Sequence, residues 1–532
     1  MDRILTSGQM RRLETDMIRS GRRSGECLME RAGEAVVEEI CRRWGARRRD
    51  GTGAPGTDRD VLVFCGPGNN GGDGFVVARL LAELGWPVRV AMFGRADRVP
   101  PDAAANLEKW RRLGDIHPIG ARDKTDPQWI TKGKTILVDA LFGTGLSRPL
   151  GGGLDGLLME AACRAPLAMV AIDVPSGVCS DSGRLLNPVP PFDLTVTFHA
   201  AKPGHFLAEG AGCCGDVIVR DITLEDASDP AAMLTGLEAL ALKTSLEKRA
   251  EHHKYVHGHT LIVSGPAGRG GAARLAARGA LRVGAGLVTV ACENSALCEH
   301  AAQLNAIMTR GFDWHGDFEH ILSDARINSL CAGPGLGLHT GARRLVSALL
   351  RSGRFLVLDA DALTMWGDTP CSLMRRLHPK VVLTPHLGEF SRLFPDISEK
   401  HARVPETWPA YSRIDAAREA AGRAGCTVVL KGADTIIATP GKVPWLNAAT
   451  GRRSVPWLAT AGSGDVLAGM IAGLLGRGLE LHQAAASAVY LHTEAARQFG
   501  PGLVSEDIAE ELPPLFRSMG VNRPAGTGRQ GP

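Results

Sequence analysis

GPGNNGGDG, Gly66 to Gly74, sets Asn69, Asn70 and Asp73 among glycines between an apolar run and a helical stretch. It contains G-x-G-x-x-G, the spacing with which bare backbone cradles a pyrophosphate. The acidic residue that a dinucleotide site needs after the next strand is missing at the end of VRVAMFG, and side-chain oxygens fill the cradle. An ordinary dinucleotide site is therefore discounted, with a structural glycine turn as the alternative. Two further apolar runs end in DALFGTGL, which carries Asp139, and AIDVPSG, which carries Asp173 and Ser176. Ligands of open α/β sheets bind at the carboxyl ends of strands, so these three loops are expected to converge. Oxygens from Asn70, Asp139 and Ser176 would suit a cation, and each acid alone would equally serve as a helix cap or loop acceptor. Gly143 to Pro149 lets backbone approach a phosphate.

In the second half, ATAGSGDVLAGMIAGLL runs a glycine turn straight into an apolar helix. The first amides of such a helix form an anion site, and Asp465 stands at its edge as a base or as an N-cap. Four more apolar runs end in GPGLG (Gly333 to Gly337), LDADAL (Leu358 to Leu363), TPHLGEF (Thr384 to Phe390) and LKGADT (Leu430 to Thr435). His386 alone would be a core or loop histidine; its place in TPHLGEF makes it a ligand candidate.

These residues need elements to hold them, and the chain supplies a βα rhythm. LMERAGEAVVEEICRRW puts Met29, Ala32, Val36 and Ile40 on one helical stripe, with Glu30, Glu34, Glu38 and Glu39 on the surface. VLVFCG, VRVAMFG, TILVDALFG, LAMVAIDVPSG, LTVTFH and DVIVRDI then alternate with helical stretches, the pattern of a mostly parallel sheet covered by helices. After about Ile222 the pattern lapses into mixed charge with no β run, and a second βα series opens at TLIVSGPAG. Domains are expected at residues 1–225 and 251–518, joined by 226–250 and followed by a disordered, Pro- and Gly-rich tail at 519–532. The glycine content, 65 of 532 residues, exceeds the usual share of roughly 7% and points to many strand-to-helix turns.

The four motifs GNNGGDG, DALFGTGL, AIDVPSG and AKPGH, in this order, resemble the NAD(P)H-hydrate epimerase domain, from about Ile4 to Ile222. The resemblance implies a Rossmann-like αβα sandwich in which Asn69, Asn70, Gly71, Gly72, Asp73, Gly143, Thr144, Gly145, Leu146, Ser147, Arg148, Pro149 and Asp173 meet the hydrated nicotinamide nucleotide. It implies potassium (K⁺) on Asn70, Asp139 and Ser176, with Asp173 as the acid-base group. From about His252 to Phe516 the motifs resemble the ribokinase-like fold, most closely its ADP-dependent NAD(P)H-hydrate dehydratase branch. That resemblance implies Lys431, Gly432, Ala433, Asp434, Thr435 and Gly464 on the adenine nucleotide. Ala272, Gly335 or Gly337, His386 and Asp465 would face the hydrate, with Asp465 catalytic, Mg²⁺ as cofactor and ADP as co-substrate. The sequence departs from that family at HKYVHGH, at GPAGRGGAA and at Ser454 to Trp457, where Trp457 replaces a glycine beside the nucleotide site.

The implied protein is an α/β repair enzyme acting on NADHX and NADPHX, the hydrates of NADH and NADPH. A ribokinase-like small-molecule kinase fused to an NAD(P)-binding module is the rival. The balance of 61 basic against 57 acidic residues excludes a nucleic-acid or membrane-surface partner. Twelve scattered cysteines, no C-x-x-C and no signal-peptide core point to a cytoplasmic protein, with homo-oligomerisation left open. The cluster from Arg42 to Gly56 reads as a solvated loop.

Overall fold

A computed structural model describes residues 3–45, 59–119, 129–151, 154, 156–225, 229–238, 240–314 and 319–522. The chain divides into two compact units, which part between Ala232 and Met233, apart from the short segment 404–412, which groups with the first.

In the first unit the strand order is Ile116–Ile119, Val88–Phe93, Asp60–Cys65, Thr135–Ala140, Ala168–Ile172, Leu194–Phe198, Asp216–Arg220, and every neighbouring pair is parallel. The order reverses direction at Asp60–Cys65, so the loops after this strand and after Thr135–Ala140 flank a crevice. Alternation along Asp60–Cys65 sends Val61, Val63 and Cys65 into one core and Leu62 and Phe64 into the other. The helix Gly25–Trp44 begins at Ser24, whose hydroxyl accepts from the Cys27 amide, and all four residues of its apolar stripe are buried. Glu39 departs from the surface expected for it. It is buried because Arg42, Arg43 and Arg220 surround its carboxylate.

The second unit carries the order Trp445–Ala448, Asp434–Ala438, Thr427–Leu430, Val381–Leu383, Phe355–Leu358, Ile327–Ala332, His259–Val263, Leu287–Glu293, Met308–Phe312. Neighbours are parallel from Thr427–Leu430 onward, and the two strands before it are antiparallel. The helix Ser463–Gly476 is buried from Val466 to Gly476 and packs on Gly271–Arg282. Close approach is possible because a Cβ on Gly469 would collide with the Ala276 carbonyl and one on Gly279 would press on the Val466 carbonyl. Part of the glycine excess is thus helix packing as well as turns.

Residues 229–238 and 240–250 are more ordered than their mixed charge implied. Strand Ala232–Leu234 pairs with Trp445–Ala448, and Leu240, Leu242 and Leu246 join the core of the second unit. Short runs of this kind carry too few residues for a periodicity to show. Arg42 and Arg43 close the helix Gly25–Trp44, while residues 46–56 of the arginine-rich loop and 523–532 of the tail lie outside the described residues.

Candidate active sites

Asp173 follows the strand Ala168–Ile172 with a positive φ of 66°, a conformation that costs a non-glycine residue energy and aims its side chain at the sheet edge. Its Oδ1 accepts from Lys202 Nζ at 2.7 Å and Thr197 Oγ1 at 2.8 Å, and Oδ2 accepts from the Thr144 amide at 3.3 Å. Burial pushes the carboxyl up, but the Lys202 ammonium and these hydrogen bonds hold it below its ordinary value. Asp73 lies on the same cavity, and burial together with the charges of Asp173 and Glu14 raises it well above the ordinary value. Glu14 is raised too, by burial first. Neighbouring carboxyls with pKa values pushed apart are the signature of an acid and a base.

Lys202 is itself locked. Its Nζ also donates to Thr197 Oγ1 and its amide donates to His205 Nδ1, while His205 Nε2 donates to the Asp173 carbonyl at 2.8 Å. Burial, with Lys202 nearby, lowers His205 to about 4, so the ring is neutral and serves as a strut.

The cavity measures about 440 Å³ and takes in Asn69, Asn70, Asp73, Gly143 to Leu146, and Asp173. Ser147, Arg148 and Pro149 are exposed beyond its lining. Gly71 and Gly72 also fall outside it: a Cβ on Gly71 would meet the Gly66 backbone, and one on Gly72 would meet Met29 and Ala103. The missing side chains of these two glycines let the helix seat against its neighbours. Asp139 is outside the cavity lining and fully buried, accepting from the Ser176 amide and hydroxyl at 2.7 Å and from the Leu141 amide at 3.1 Å. Burial raises it to about 6 against those hydrogen bonds. Asn70 Nδ2 is buried with no hydrogen-bond partner among the described residues.

In the second unit, Lys431 leaves the strand Thr427–Leu430 and its Nζ lies 2.7 Å from Asp359 Oδ1, which also accepts from Thr384 Oγ1 at 2.7 Å. Ala360, next in chain, has φ 46°, and Asp361 accepts from the Gly337 amide at 2.8 Å. Asp465 stands in the first turn of Ser463–Gly476, whose N-cap is Gly462 in the left-handed region, so the aspartate is not the cap. Burial, then the charge of Asp359, raises its carboxyl to about 7 although Lys431 pulls the other way.

A cavity of about 370 Å³ takes in Lys431, Gly432, Ala433, Thr435, Ser463 and Gly464. His492 closes its floor with Nε2 donating to the Ser463 carbonyl at 2.8 Å; burial lowers this ring to about 4. Asp434 is not brought to this lining, because it pairs with Arg413 at 3.4 Å. Gly335 and Ala272 do come together: a Cβ on Gly335, whose φ is 64°, would lie 3.5 Å from Ala272 Cβ. His386 caps the helix Leu387–Leu393 through Nδ1, which accepts from the Gly388 and Glu389 amides, leaving its ring exposed. Trp457 is 49% exposed, and while Pro456 and Leu458 line the cavity, its ring does not.

The family models that match are "YjeF-related protein N-terminus" over residues 25–204 and "NAD(P)H-hydrate dehydratase" over 260–513. The bifunctional NAD(P)H-hydrate repair enzyme Nnr of Moorella thermoacetica is 35% identical over 511 residues, covering 92% of each chain. The chain belongs to the bifunctional NAD(P)H-hydrate repair enzymes. The NAD(P)H-hydrate epimerase of Rhodobacter capsulatus is 47% identical over 228 residues, 42% of this chain and all of that one. Among solved structures, the ADP/ATP-dependent NAD(P)H-hydrate dehydratase of Bacillus subtilis is 27% identical, covers 54% of this chain and 99% of its own, and has a TM-score of 0.43.

Several residues of these sites went unassigned in the sequence: Glu14, Thr197, Lys202, Asp359 and Glu389. Lys202 stands in AKPGH, Asp359 in LDADAL and Glu389 in TPHLGEF, so each motif was visible while the role of its charged residue was not. Glu14 and Thr197 carried no motif signal.

Proposed function

We propose that the epimerase half works at the Asp173–Lys202 cavity and the dehydratase half at Asp465. The chain is an isomerase and a lyase in one, an NAD(P)H-hydrate epimerase joined to an NAD(P)H-hydrate dehydratase. The observation that carries the assignment is the contrast between an ionised, lysine-paired Asp173 and an Asp465 poised near neutrality at a helix N-terminus.

The hydrate is a hemiaminal, with a hydroxyl on C6 beside ring nitrogen N1. Asp173 takes the hydroxyl proton as the protonated Asp73 supplies one to N1, and the C6–N1 bond opens to an aldehyde. Rotation presents the other carbonyl face, reclosure returns both protons, and the epimer is inverted. Asn69, Asn70 and Gly143 to Leu146 hold the nucleotide, Gly143 being bare where a Cβ would stand about 3 Å from Asn70 and Asp173 oxygens. Potassium would suit Asp139, a buried carboxylate bonded to Ser176 with no cationic side chain among its contacts in the described residues, and Asn70 is the third donor that the family resemblance implies. A bound cation would keep Asp139 ionised and fix the loops that it joins.

In the second half Asp465 takes the C6 hydroxyl proton and the oxygen attacks the β-phosphoryl of ADP, leaving AMP. Loss of phosphate, pushed by N1 and completed by loss of the C5 proton, restores the dihydropyridine. Lys431, Gly464 and the amides of the helix start hold the phosphates. Glu389, a buried carboxyl that burial raises, is the residue that would hold Mg²⁺, and the ion supplies charge neutralisation on the phosphoryl oxygens. Twelve free cysteines fit a reducing, cytoplasmic setting. No helix of the described residues is long and apolar enough to cross a membrane.

Incubating the chain with racemic NADH hydrate, ADP and Mg²⁺ should return dihydronicotinamide absorbance for both epimers. Recovery of only half would remove the epimerase, and accumulation of a stable phosphorylated product would make the second half a kinase.

A further inference from the structure

The helix Ser463–Gly476 has a second end. Its 14 residues put Arg477 about 21 Å from the phosphate-binding turn, in a separate cleft of about 680 Å³. This cleft lies wholly within the second unit and its charges are one-sided. Lys248 and Arg477 converge over Gly284, where a Cβ would strike Arg477 and lie 3.2 Å from Lys248 Cε; the missing side chain makes room for two cations side by side. Arg282 and Arg517 complete the rim.

Some of this charge has an ordinary use. Arg477 donates to the carbonyls of Val283, Ser245 and Glu247, which closes two helix ends, and Glu510 takes Arg278 and Arg282. That leaves the heads of Lys248 and Arg517 with no ion pair among the described residues. Burial and the Arg477 charge both depress the Lys248 ammonium, as expected of two cations held side by side. The same lining includes the apolar Leu246, Ile307 and Phe516, and Asn305 offers an amide. Cations converging at Gly284 within a lining that also carries apolar side chains match a phosphate group carried on an organic body.

We propose that this cleft is a second binding site, for a phosphate-bearing small molecule, remote from the dehydratase cavity. Its occupant would touch the two helices that also build the dehydratase site. Gly271–Arg282 carries Ala272 at one end and Arg282 at the other, and Ser463–Gly476 carries Asp465 at one end with Arg477 just beyond the other. Their glycine-mediated packing makes them one stiff body, so a ligand at the far end bears on the position of Asp465.

Inorganic pyrophosphate is the probe. Calorimetric titration of the full chain should find two classes of site. Lys248→Glu reverses the charge beside Arg477 and creates an attractive pair, so its melting temperature should match or exceed wild type while one class weakens at least tenfold. Lys431→Gln should lose the other class and keep this one. A single class that Lys431→Gln removes, or two classes unchanged in a folded Lys248→Glu, would overturn the proposal. A second copy of the chain as the occupant would show as an oligomer that Lys248→Glu dissociates without any change in pyrophosphate binding, and that result also overturns it.

Discussion

Asp173 follows a strand and Asp465 stands in the first turn of a helix, and their surroundings give the two carboxylates opposite protonation behaviour. Asp465 rises to about 7 through burial and the charge of Asp359, and it must be ionised to accept a proton. Dehydratase turnover should therefore fall below about pH 7 and level off above it, and a flat profile from pH 5 to 8 would refute the assignment. Asp465→Asn should cost about two orders of magnitude or more in dehydration and leave R/S exchange intact. Asp173 runs the other way: its lowered pKa means the Lys202 pair stabilises the fold above the unfolded aspartate's pKa and is lost as pH falls through the folded one. Lys202→Met would strand a buried carboxylate, at a cost on the order of 3–5 kcal/mol. Denaturant titration should show that loss, and the surviving epimerase should need a higher pH, because Asp173 then titrates upward. Trp457→Gly should leave ADP affinity within about twofold, because the exposed ring stands outside the cavity; markedly tighter binding would show that it obstructs. Asp139, Asp173 and Asp465 were legible because glycine motifs flank each of them, whereas Lys202 and Asp359 act through partners 29 and 72 residues away, a distance over which sequence carries no pairing signal.

At the scale of elements, the central strands were the readable part, because Asp60–Cys65, Thr135–Ala140 and Ala168–Ile172 are buried on both faces and each ends in a motif. Both sheets place those ends at one edge, which is why separate motifs became two sites. Glycines in helices were harder to read. In Ser463–Gly476 they serve contact with Gly271–Arg282, and that purpose depends on a partner almost 200 residues away. Gly469→Ala would force its Cβ into the Ala276 carbonyl, a collision with backbone that cannot swing aside. Overpacking of this kind costs about 1–3 kcal/mol, so chemical denaturation should show a lower midpoint. If the two helices separate, dehydration should fall while epimerisation persists. An unchanged midpoint would mean that the helices do not approach this closely.

For the whole molecule, the boundary matters more than its position in sequence suggests. A division at residue 251 looks natural from charge and βα rhythm, yet Leu240, Leu242 and Leu246 belong to the core that also contains Ala280, Ile471 and Ala485. Strand Ala232–Leu234 meanwhile extends the sheet beside Trp445–Ala448. Removing three buried leucines at about 2–5 kcal/mol each would match or exceed the total stability of about 5–15 kcal/mol that a domain commonly has. A fragment spanning 233–522 should therefore express as a cooperatively folding dehydratase, whereas one spanning 251–522 should be insoluble or melt far lower. Thermal melts of the two fragments compare them directly. Equal melting temperatures would show that the leucine segment decorates the second unit instead of completing it, and the domain would then begin where the charge pattern placed it.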